Sequence, residues 1–208
     1  MDEVRERDFD LGIYLLMQTN ESCKRAEAAR ITHDCRSKVS LSRRDYQKDI
    51  DIFFSLSIGS DLYTCGDVTT GLFGKTASRI VKAVIVAKCP GVAAGLAEAS
   101  FFLKRKNPFF SKTVKFKPCI SDGEKLFNGR IIAELVGTAG DILALERTLL
   151  NFLQRMGGIA TLTREYVNAV PSRVLITSTR KTLWGLLDKK AVTAGGGGTH
   201  RINLSDAI

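Results

Sequence analysis

The sequence predicts an α+β unit with a small antiparallel sheet, followed by a segment in which helices and strands alternate. Three observations carry this prediction. Apolar residues alternate with lysines over 79–88, a pattern typical of a strand with one buried face. Ser121-Asp122-Gly123-Glu124 is a turn signal between two further strand patterns, 112–120 and 130–136. After residue 158 the order helix, strand, helix, strand implies parallel pairing, as in an α/β barrel.

The first part of the chain is predicted to be helical. Residues 1–45 predict one or two helices with a loop near Thr19-Asn20-Glu21-Ser22, and they carry no strong motif. The apolar spacing then predicts a helix over 45–57. Pro90-Gly91 is a turn signal, and it leads into a short predicted helix at 94–105.

A long apolar stripe with helical period follows the second strand pair. Asp141 is the predicted N-cap residue. Gly157-Gly158 is predicted to interrupt this helix, and a second helix, 159–170, is predicted to end at Pro171. The stripe comprises Ile142, Leu145, Leu149, Phe152, Leu153 and Met156.

The last fifty residues predict βα units. A strand is expected at 173–178, a helix at 183–193 and another strand from about Ile202. In α/β barrels, ligand-binding groups lie just beyond the carboxyl ends of the strands. Arg180 and Lys181 occupy that place after the first of these strands.

Composition limits the class of protein. The chain has 208 residues, of which 44% are hydrophobic and 25% charged, as expected for a globular protein. Its apolar runs are shorter than the roughly 18 residues of a membrane span, and its acidic N-terminus is unlike a signal peptide. Five cysteines without CxxC spacing argue against a disulfide framework or a zinc site, so we expect the cytoplasm.

The net charge of +9 indicates an anionic partner. Residues 1–50 are neutral, with ten basic and ten acidic residues, so the excess charge lies in 51–208. Lysines around 104–117 are more typical of a solvated strand edge than of a nucleic-acid surface. No RNA-binding or zinc-finger motif is present, and neither nucleic acid nor a membrane is the expected partner.

The most informative stretch is Gly195-Gly196-Gly197-Gly198-Thr199-His200-Arg201. Glycines let a backbone approach a ligand closely, and arginines recognise carboxylate or phosphate groups through two parallel hydrogen bonds. Together with Arg180-Lys181, this stretch predicts a pocket for a small, multiply charged anion. The other histidine, His33, is expected to be a surface residue.

Several motifs, in order, resemble those of the quinolinate phosphoribosyltransferase family. Over 48–208, the resemblance rests on Gly66 to Thr70, Asp122-Gly123, Ile132 to Glu134, Glu146 to Thr161, Thr179 to Thr182, Ala191-Val192 and Gly195 to Arg201. It implies an α+β N-terminal, sandwich-like domain, followed by the opening βα units of an α/β barrel. The expected parts are a helical extension (1–45), a dimerising domain (46–144) and the start of the barrel domain (145–208).

The resemblance also implies a reaction. Quinolinate and phosphoribosyl pyrophosphate would give nicotinate mononucleotide, pyrophosphate and CO₂, a step of NAD biosynthesis, with Mg²⁺ bound through phosphoribosyl pyrophosphate. Arg180, His200 and Arg201 would bind the quinolinate carboxylates, and Lys181 would face the pyrophosphate, with Thr179 holding the loop. Lys181 and His200 are the expected catalytic residues. Arg147 would reach the neighbouring site of a homodimer.

The chain departs from the family's pattern in three respects. Ser178 stands where the family usually has Asp, and Leu183-Trp184-Gly185 replaces its usual Thr-Pro-Gly. A complete barrel domain takes about 250 residues, whereas 50 follow Gly158. The family's later lysine, its acidic residues and its phosphate loops would lie beyond Ile208, so we expect the 208-residue chain alone to be inactive.

Two further interpretations therefore remain open. The chain could be a truncated or degenerate relative that acts as a non-catalytic, dimerising anion-binding module. It could also be a barrel homologue such as the molybdenum-transport-associated protein, which shares the Gly-rich region and the His-Arg pair.

Overall fold

The computed structural model describes residues 33–63, 66–105, 108–110, 114–204 and 206. The α-helices of this part are α1 (Arg44–Leu62), α2 (Val68–Gly71), α3 (Leu96–Leu103), α4 (Ala139–Ala169) and α5 (Leu186–Gly195). The strands are β1 (Ile80–Val86), β2 (Gly91–Val92), β3 (Lys115–Pro118), β4 (Lys125–Leu126) and β5 (Ile131–Thr138). The loop predicted near residues 19–22 lies outside the described residues. None of the described helices is long and apolar enough to span a membrane.

The predicted antiparallel sheet is present. Strand β5 lies between β1 and β3 and pairs with both in antiparallel fashion. Ile80 lies opposite Thr138 at one end of the β1–β5 ladder, and β1 alternates between exposed and half-buried positions, as its sequence pattern predicts. The three strands predicted over 79–88, 112–120 and 130–136 are thereby confirmed within the described residues.

The turn at 121–124 is present, but it does not join β3 directly to β5. Strand β4 follows it and pairs with β2, so that Val92 lies opposite Lys125. Asp122 holds this turn near the start of α3, because its carboxylate accepts hydrogen bonds from the backbone N–H groups of Leu96 (2.9 Å) and Ala97 (3.3 Å). The residue before α3, Gly95, has no side chain that could cap the helix, and Asp122 supplies the cap from a distance.

The predicted break at Gly157-Gly158 is wrong, since α4 continues through both glycines. A Cβ at Gly157 would lie 3.2 Å from the carbonyl oxygen of Val92, so this glycine lets the helix pack closely on β2. Thr161 adds to this contact, because its hydroxyl accepts a hydrogen bond of 2.9 Å from the backbone N–H of Val92. Tertiary packing therefore outweighs the weak helix propensity of glycine, which costs about 1 kcal/mol per residue.

The core is built around the apolar stripe of α4. Helix α1 buries one residue per turn against it, and α3, β3, β5 and α5 complete the cluster. The fully buried apolar residues of the two long helices are Tyr46, Ile50, Phe54, Ile58, Leu145, Leu149, Phe152, Met156 and Ala160. Their spacing of three or four residues is that of helices with one buried face.

The C-terminal part has parallel pairing, over a shorter stretch than predicted. Thr177 and Gly198 form a parallel bridge, with Gly198 N–H donating to Ile176 (2.8 Å) and Ser178 N–H donating to Gly198 (3.1 Å). The strands expected at 173–178 and from Ile202 do not form in the described residues. Only isolated bridges at Thr177, Gly198 and His200 are present, and the Ile202 N–H donates to Asp206 at 2.6 Å. The parallel βα arrangement is confirmed at this bridge, and α5 connects its two halves.

Candidate functional site

Lys189 ties together the two parallel segments that carry the predicted site residues. It lies on α5, is 2% exposed, and donates from Nζ to the carbonyl oxygens of Thr179 (2.8 Å) and Thr199 (2.7 Å) and to Ser178 Oγ (3.3 Å). The Ser178 hydroxyl also donates to Thr199 O at 2.7 Å. Lys189 therefore fixes the position of the 177–179 segment relative to the 198–200 segment.

The ammonium group of Lys189 is hydrogen-bonded, but among the described residues it has no carboxylate partner. Burial and, to a smaller extent, the neighbouring Arg180 lower its pKa from 10.5 to about 8. Between these two pH values the unfolded chain binds more protons at this lysine than the folded chain does. The free energy of unfolding should therefore rise with pH across that window and level off above it.

Substitutions at Ser178 test whether the buried ammonium group of Lys189 lacks a carboxylate partner. An aspartate at 178 would place a carboxylate next to the buried ammonium, whereas an asparagine has nearly the same shape without the charge. We expect Ser178→Asp to be more stable than Ser178→Asn by about 1–3 kcal/mol at pH 7, the range of hydrogen bonds to charged groups. Pairing lowers the pKa of the new carboxyl, so the difference should vanish as pH falls below about 4. Equal urea midpoints for the two variants at pH 7 would contradict it.

Thr199 is the centre of a second set of contacts. It is fully buried, and its hydroxyl accepts a hydrogen bond of 2.7 Å from the backbone N–H of Cys35. Next to this hydrogen bond, Asp34 and His200 form a parallel bridge. The segment before α1 therefore lies alongside the 198–200 segment that carries the predicted site histidine.

His200 lies in an electropositive environment. Burial lowers its pKa, and the neighbouring His33, Lys189, Arg201 and Arg180 lower it further by charge repulsion. Its φ angle of 55° is in the left-handed region, which non-glycine residues rarely adopt. Such backbone conformations are concentrated at functional sites.

The predicted residues Arg180 and Lys181 line different cavities. Arg180, which is exposed, lines a cavity of about 660 Å³ together with Asp49, Lys189 and Asn203. Lys181 lines another cavity, of about 260 Å³, between α4 and the 176–179 segment. The backbone N–H of Lys181 donates a hydrogen bond of 3.0 Å to Thr179 Oγ1. The Thr179 side chain therefore helps to fix the loop that carries Arg180 and Lys181.

The remaining predicted residues divide into near and distant ones. Arg201 directly follows His200, and its Nε is buried without a hydrogen-bond partner. Arg147 is exposed on the first half of α4, eight residues before Arg155, which corresponds to about 12 Å along the helix axis. Arg147 lines neither of the two cavities. The structure thus brings Arg180, His200 and Arg201 together around Lys189 and leaves Arg147 apart.

The loop between Arg180 and α5 is held by an ion pair that the sequence pattern did not reveal. Arg155 of α4 binds Asp188 through two parallel hydrogen bonds, Nε–Oδ1 of 3.0 Å and Nη2–Oδ2 of 2.8 Å. Asp188 also accepts from the Trp184 N–H at 3.0 Å, and the Arg155 guanidinium lies 4.7 Å from the centre of the Trp184 ring. Trp184, in the sequence that departs from the family, therefore anchors the loop to α4.

The glycine run does not form the expected approach to a ligand. A Cβ at Gly195 would lie 2.5 Å from Ala160 O, and one at Gly197 would lie 2.7 Å from the Val192 side chain. These glycines let the end of α5 pack against α4, and Arg164 supports the packing by donating to Gly195 O at 2.7 Å. The expectation of a glycine-lined pocket is wrong here, because the close contacts are within the protein.

Two glycine-to-alanine replacements test this packing. Gly195→Ala should lower the free energy of unfolding by about 1–3 kcal/mol, the usual cost of overpacking, because backbone and Thr163 atoms block the new methyl group. Gly158→Ala is the control, since no atom lies within 4 Å of its Cβ position inside α4. That change should raise stability by about 0.5–1 kcal/mol. Urea unfolding with the reverse order of stability would contradict the assignment.

Lys189 was not predicted from the sequence, because an amphipathic helix gives no sign that one of its lysines is buried. Thr199 was part of the Gly195–Arg201 stretch, but no role was predicted for it. A faint signal existed in Asp188-Lys189-Lys190, where a charge run falls on a helix predicted to pack against a strand.

Comparison with known proteins found two family profiles that match this chain. The family profile described as "Quinolinate phosphoribosyl transferase, N-terminal domain" matches residues 67–157, and that described as "Quinolinate phosphoribosyl transferase, C-terminal domain" matches residues 159–208. The two profiles together span nearly all of the chain after residue 66.

Individual relatives point the same way. "Probable nicotinate-nucleotide pyrophosphorylase (carboxylating)" of Bacillus subtilis is 40% identical over 172 residues, which are 81% of this chain and 55% of that protein. "Quinolinate phosphoribosyltransferase (decarboxylating) 1" of Nicotiana glauca is 37% identical over 166 residues, covering 77% of this chain and 45% of the relative.

Solved structures are also similar. The crystal structure of NadC from Streptococcus pyogenes superposes with a TM-score of 0.69 at 34% identity, covering 77% of this chain and 57% of that one. The chain thus spans about half the length of the curated relatives it matches. The matching profiles, relatives and structures agree: the chain belongs to the quinolinate phosphoribosyltransferase family.

Proposed function

We propose that this chain carries the dicarboxylate-binding part of a quinolinate phosphoribosyltransferase. The complete reaction would convert quinolinate and phosphoribosyl pyrophosphate to nicotinate mononucleotide, pyrophosphate and CO₂ in NAD biosynthesis. The cytoplasm is the proposed compartment, in keeping with the free thiols of Cys89 and Cys119.

The observation that carries the proposal is the uncompensated positive charge around His200. Arg180, Lys189 and Arg201 make no ion pair among the described residues. The nearby carboxylate of Asp206 is engaged by Lys38. Several cations held together without counterions create a potential that attracts a small anion with more than one charge.

In the proposed reaction these residues orient the substrate and stabilise its charges. Arg180, His200 and Arg201 hold the two carboxylates, so that the ring nitrogen faces the ribose carbon and forms the new C–N bond while pyrophosphate departs. The C2–carboxylate bond then breaks, CO₂ leaves, and the electron pair on C2 takes up a proton. Lys181 and His200 remain the proposed groups for pyrophosphate and proton, respectively.

The proposed Mg²⁺ would be brought by phosphoribosyl pyrophosphate rather than by this part of the protein. Among the described residues no cluster of three or more His, Cys, Asp or Glu side chains could hold a metal ion. The groups around His200 are cationic and do not fit a divalent cation. When bound to the phosphates, Mg²⁺ would offset the charge of the departing pyrophosphate.

A homodimer is also part of the proposal, with Arg147 contributed to the neighbouring site. Large apolar side chains are exposed near the first half of α4, on that helix itself and on the elements packed against it. Large exposed apolar side chains on neighbouring elements support the proposal, because apolar patches on protein surfaces mark interaction sites. The side chains are Val68, Leu72, Phe73, Ile80 and Leu143.

The experiment that tests the proposed function compares two pyridine acids. Quinolinate has two carboxylates and nicotinate lacks the one next to the ring nitrogen, so calorimetry with both measures what the second carboxylate contributes. We expect quinolinate to bind at least tenfold more tightly at low salt, since a hydrogen bond to a charged group is worth about 1.5–3 kcal/mol. Equal affinities would overturn the proposal.

The second candidate, a non-catalytic anion-binding module, is distinguished by turnover. It is favoured by the described site itself, which contains cations but no acidic cluster suited to the ribose or a metal. We expect the purified 208-residue chain to bind quinolinate without producing nicotinate mononucleotide from phosphoribosyl pyrophosphate. Product formation by this chain, verified by mass, would exclude the module and would show that the described residues suffice.

A further inference from the structure

The segment 33–39 lies directly against the proposed anion site. Asp34 pairs in parallel with His200, and the Cys35 N–H donates to Thr199 Oγ1 at 2.7 Å. Val39 is buried in the main core, which anchors the far end of the segment. These contacts place His33, from a part of the chain with no recognised motif, next to the site histidine.

The rings of His33 and His200 are stacked. Their centroids are 4.9 Å apart and their planes differ by 10°. Three buried nitrogen atoms at this place have no hydrogen-bond partner: His33 Nδ1, His200 Nδ1 and Arg201 Nε. Buried polar nitrogens are nearly always hydrogen-bonded in folded proteins. Three such atoms without a partner at one place therefore indicate a binding site for a ligand.

Charge explains why the pair is sensitive to an anion. The positive groups around His200 come from three other elements: Lys189 on α5, Arg180 on the loop before it, and His33 on the N-terminal segment. Among the nearby carboxylates, Asp206 binds Lys38 and Asp34 binds Arg36 through Oδ2. Asp34 Oδ1 is buried without a partner, and Asp49 lines the cavity of Arg180 and Lys189, so the positive groups outnumber the two carboxylates that face them. Two protonated imidazoles in contact repel each other, and an anion bound beside them removes that penalty.

We propose that His33 belongs to the anion site, where its ring positions His200 and controls its charge, and that His200 takes up a proton from solvent when a dianion binds. The inference rests on the proposed function, because the dianion tested is quinolinate. The inference adds His33, which lies before the residues that resemble the family, to the anion site. It also predicts that binding is linked to proton uptake, which a cluster of cations alone does not require.

The chain has only two histidines, so NMR can follow each imidazole separately. In the free protein, His33→Phe keeps an aromatic ring against His200 but removes the charge, whereas His33→Ala removes both. We expect the titration midpoint of His200 to rise in both variants. An unchanged midpoint in both would overturn the control of His200 by His33.

Quinolinate binding then tests the proton uptake. Between pH 8 and pH 6, affinity in the unmodified protein should increase by up to about tenfold per pH unit for one linked proton. The increase should be smaller in His33→Phe, because His200 is already charged at higher pH. At pH 8, His33→Ala should bind several-fold more weakly than His33→Phe, since only the latter keeps the stacked ring.

The outcomes separate this inference from the proposed function. Affinity that is independent of pH in the unmodified protein, or equal in the two variants at pH 8, would overturn the role of His33 while quinolinate binding stands. Absence of quinolinate binding in the unmodified protein would overturn the proposed function and the proton uptake with it. The titration of free His200 would still decide whether His33 controls that imidazole.

Discussion

Arg201→Ala should weaken quinolinate binding by about thirtyfold or more. The Nε of Arg201 is buried without a partner, so this donor is already desolvated and available to a carboxylate. Removing one partner of such a desolvated charge pair typically costs about 2–5 kcal/mol. Calorimetric titration of the 208-residue chain with quinolinate measures the change.

Two controls sharpen this test. Arg201→Lys keeps the charge but loses the two-pronged geometry and should recover only part of the affinity. Arg173→Ala removes an exposed arginine near the same segment and should leave the affinity within about twofold, as expected for a screened surface charge. Unchanged binding in Arg201→Ala would exclude Arg201 from the site.

Arg147→Ala should also weaken quinolinate binding, although Arg147 is distant from its own subunit's site. The proposal places this arginine in the partner's site, so its loss removes one cation from each site of the homodimer. We expect a loss of about thirtyfold, the lower end of the cost of about 2–5 kcal/mol for removing a buried charge partner. Arg44→Ala, which removes an exposed arginine from α1, is the matched control and should bind normally.

Mixing the two variants distinguishes action across subunits from an indirect effect. In a mixed dimer of Arg147→Ala and Arg201→Ala chains, one site retains both arginines and the other lacks both. Equimolar mixing with subunit exchange should therefore restore tight binding to a minority of sites. Absence of any restored tight sites, with mixed dimers verified by mass spectrometry, would mean that Arg147 does not act across the interface.

The sheet and the core helices could be predicted because each depends on a local pattern. The alternation of apolar residues over 79–88 indicates a strand, and the 3.6-residue period from Ile142 to Met156 indicates a helix. Each pattern also indicates which face of the element is buried. The element ends were less predictable, since they depend on distant partners. Asp122 capping α3 is an example, because its role requires the loop after β3 to fold back.

The glycines show where a local rule fails. Gly157-Gly158 and the run from Gly195 indicate breaks or ligand loops when they are considered alone. In the folded chain, Gly157 allows α4 to meet β2, and Gly195 allows α5 to meet α4. Whether a glycine serves flexibility, a ligand or close packing depends on what lies opposite it, which the sequence does not state.

The site was predictable only in part, for a related reason. Arginines and the His-Arg pair were identified by their chemistry and order, and the structure brings Arg180, His200 and Arg201 together. Lys189 was missed, and His33 was expected to be a surface residue but is half-buried. Both depend on contacts across the fold: hydrogen bonds to Thr179 and Thr199 for Lys189, and a ring stack on His200 for His33.

The central claim is that quinolinate binds where the two parallel segments end. The most direct measurement is a backbone and arginine side-chain NMR map of the 208-residue chain during titration with quinolinate. The account predicts the largest shifts at residues 178–181 and 199–201 and at the Nε–H signals of Arg180 and Arg201. Shifts concentrated instead in the apolar groove between β1 and α4, or none at saturating ligand, would contradict it.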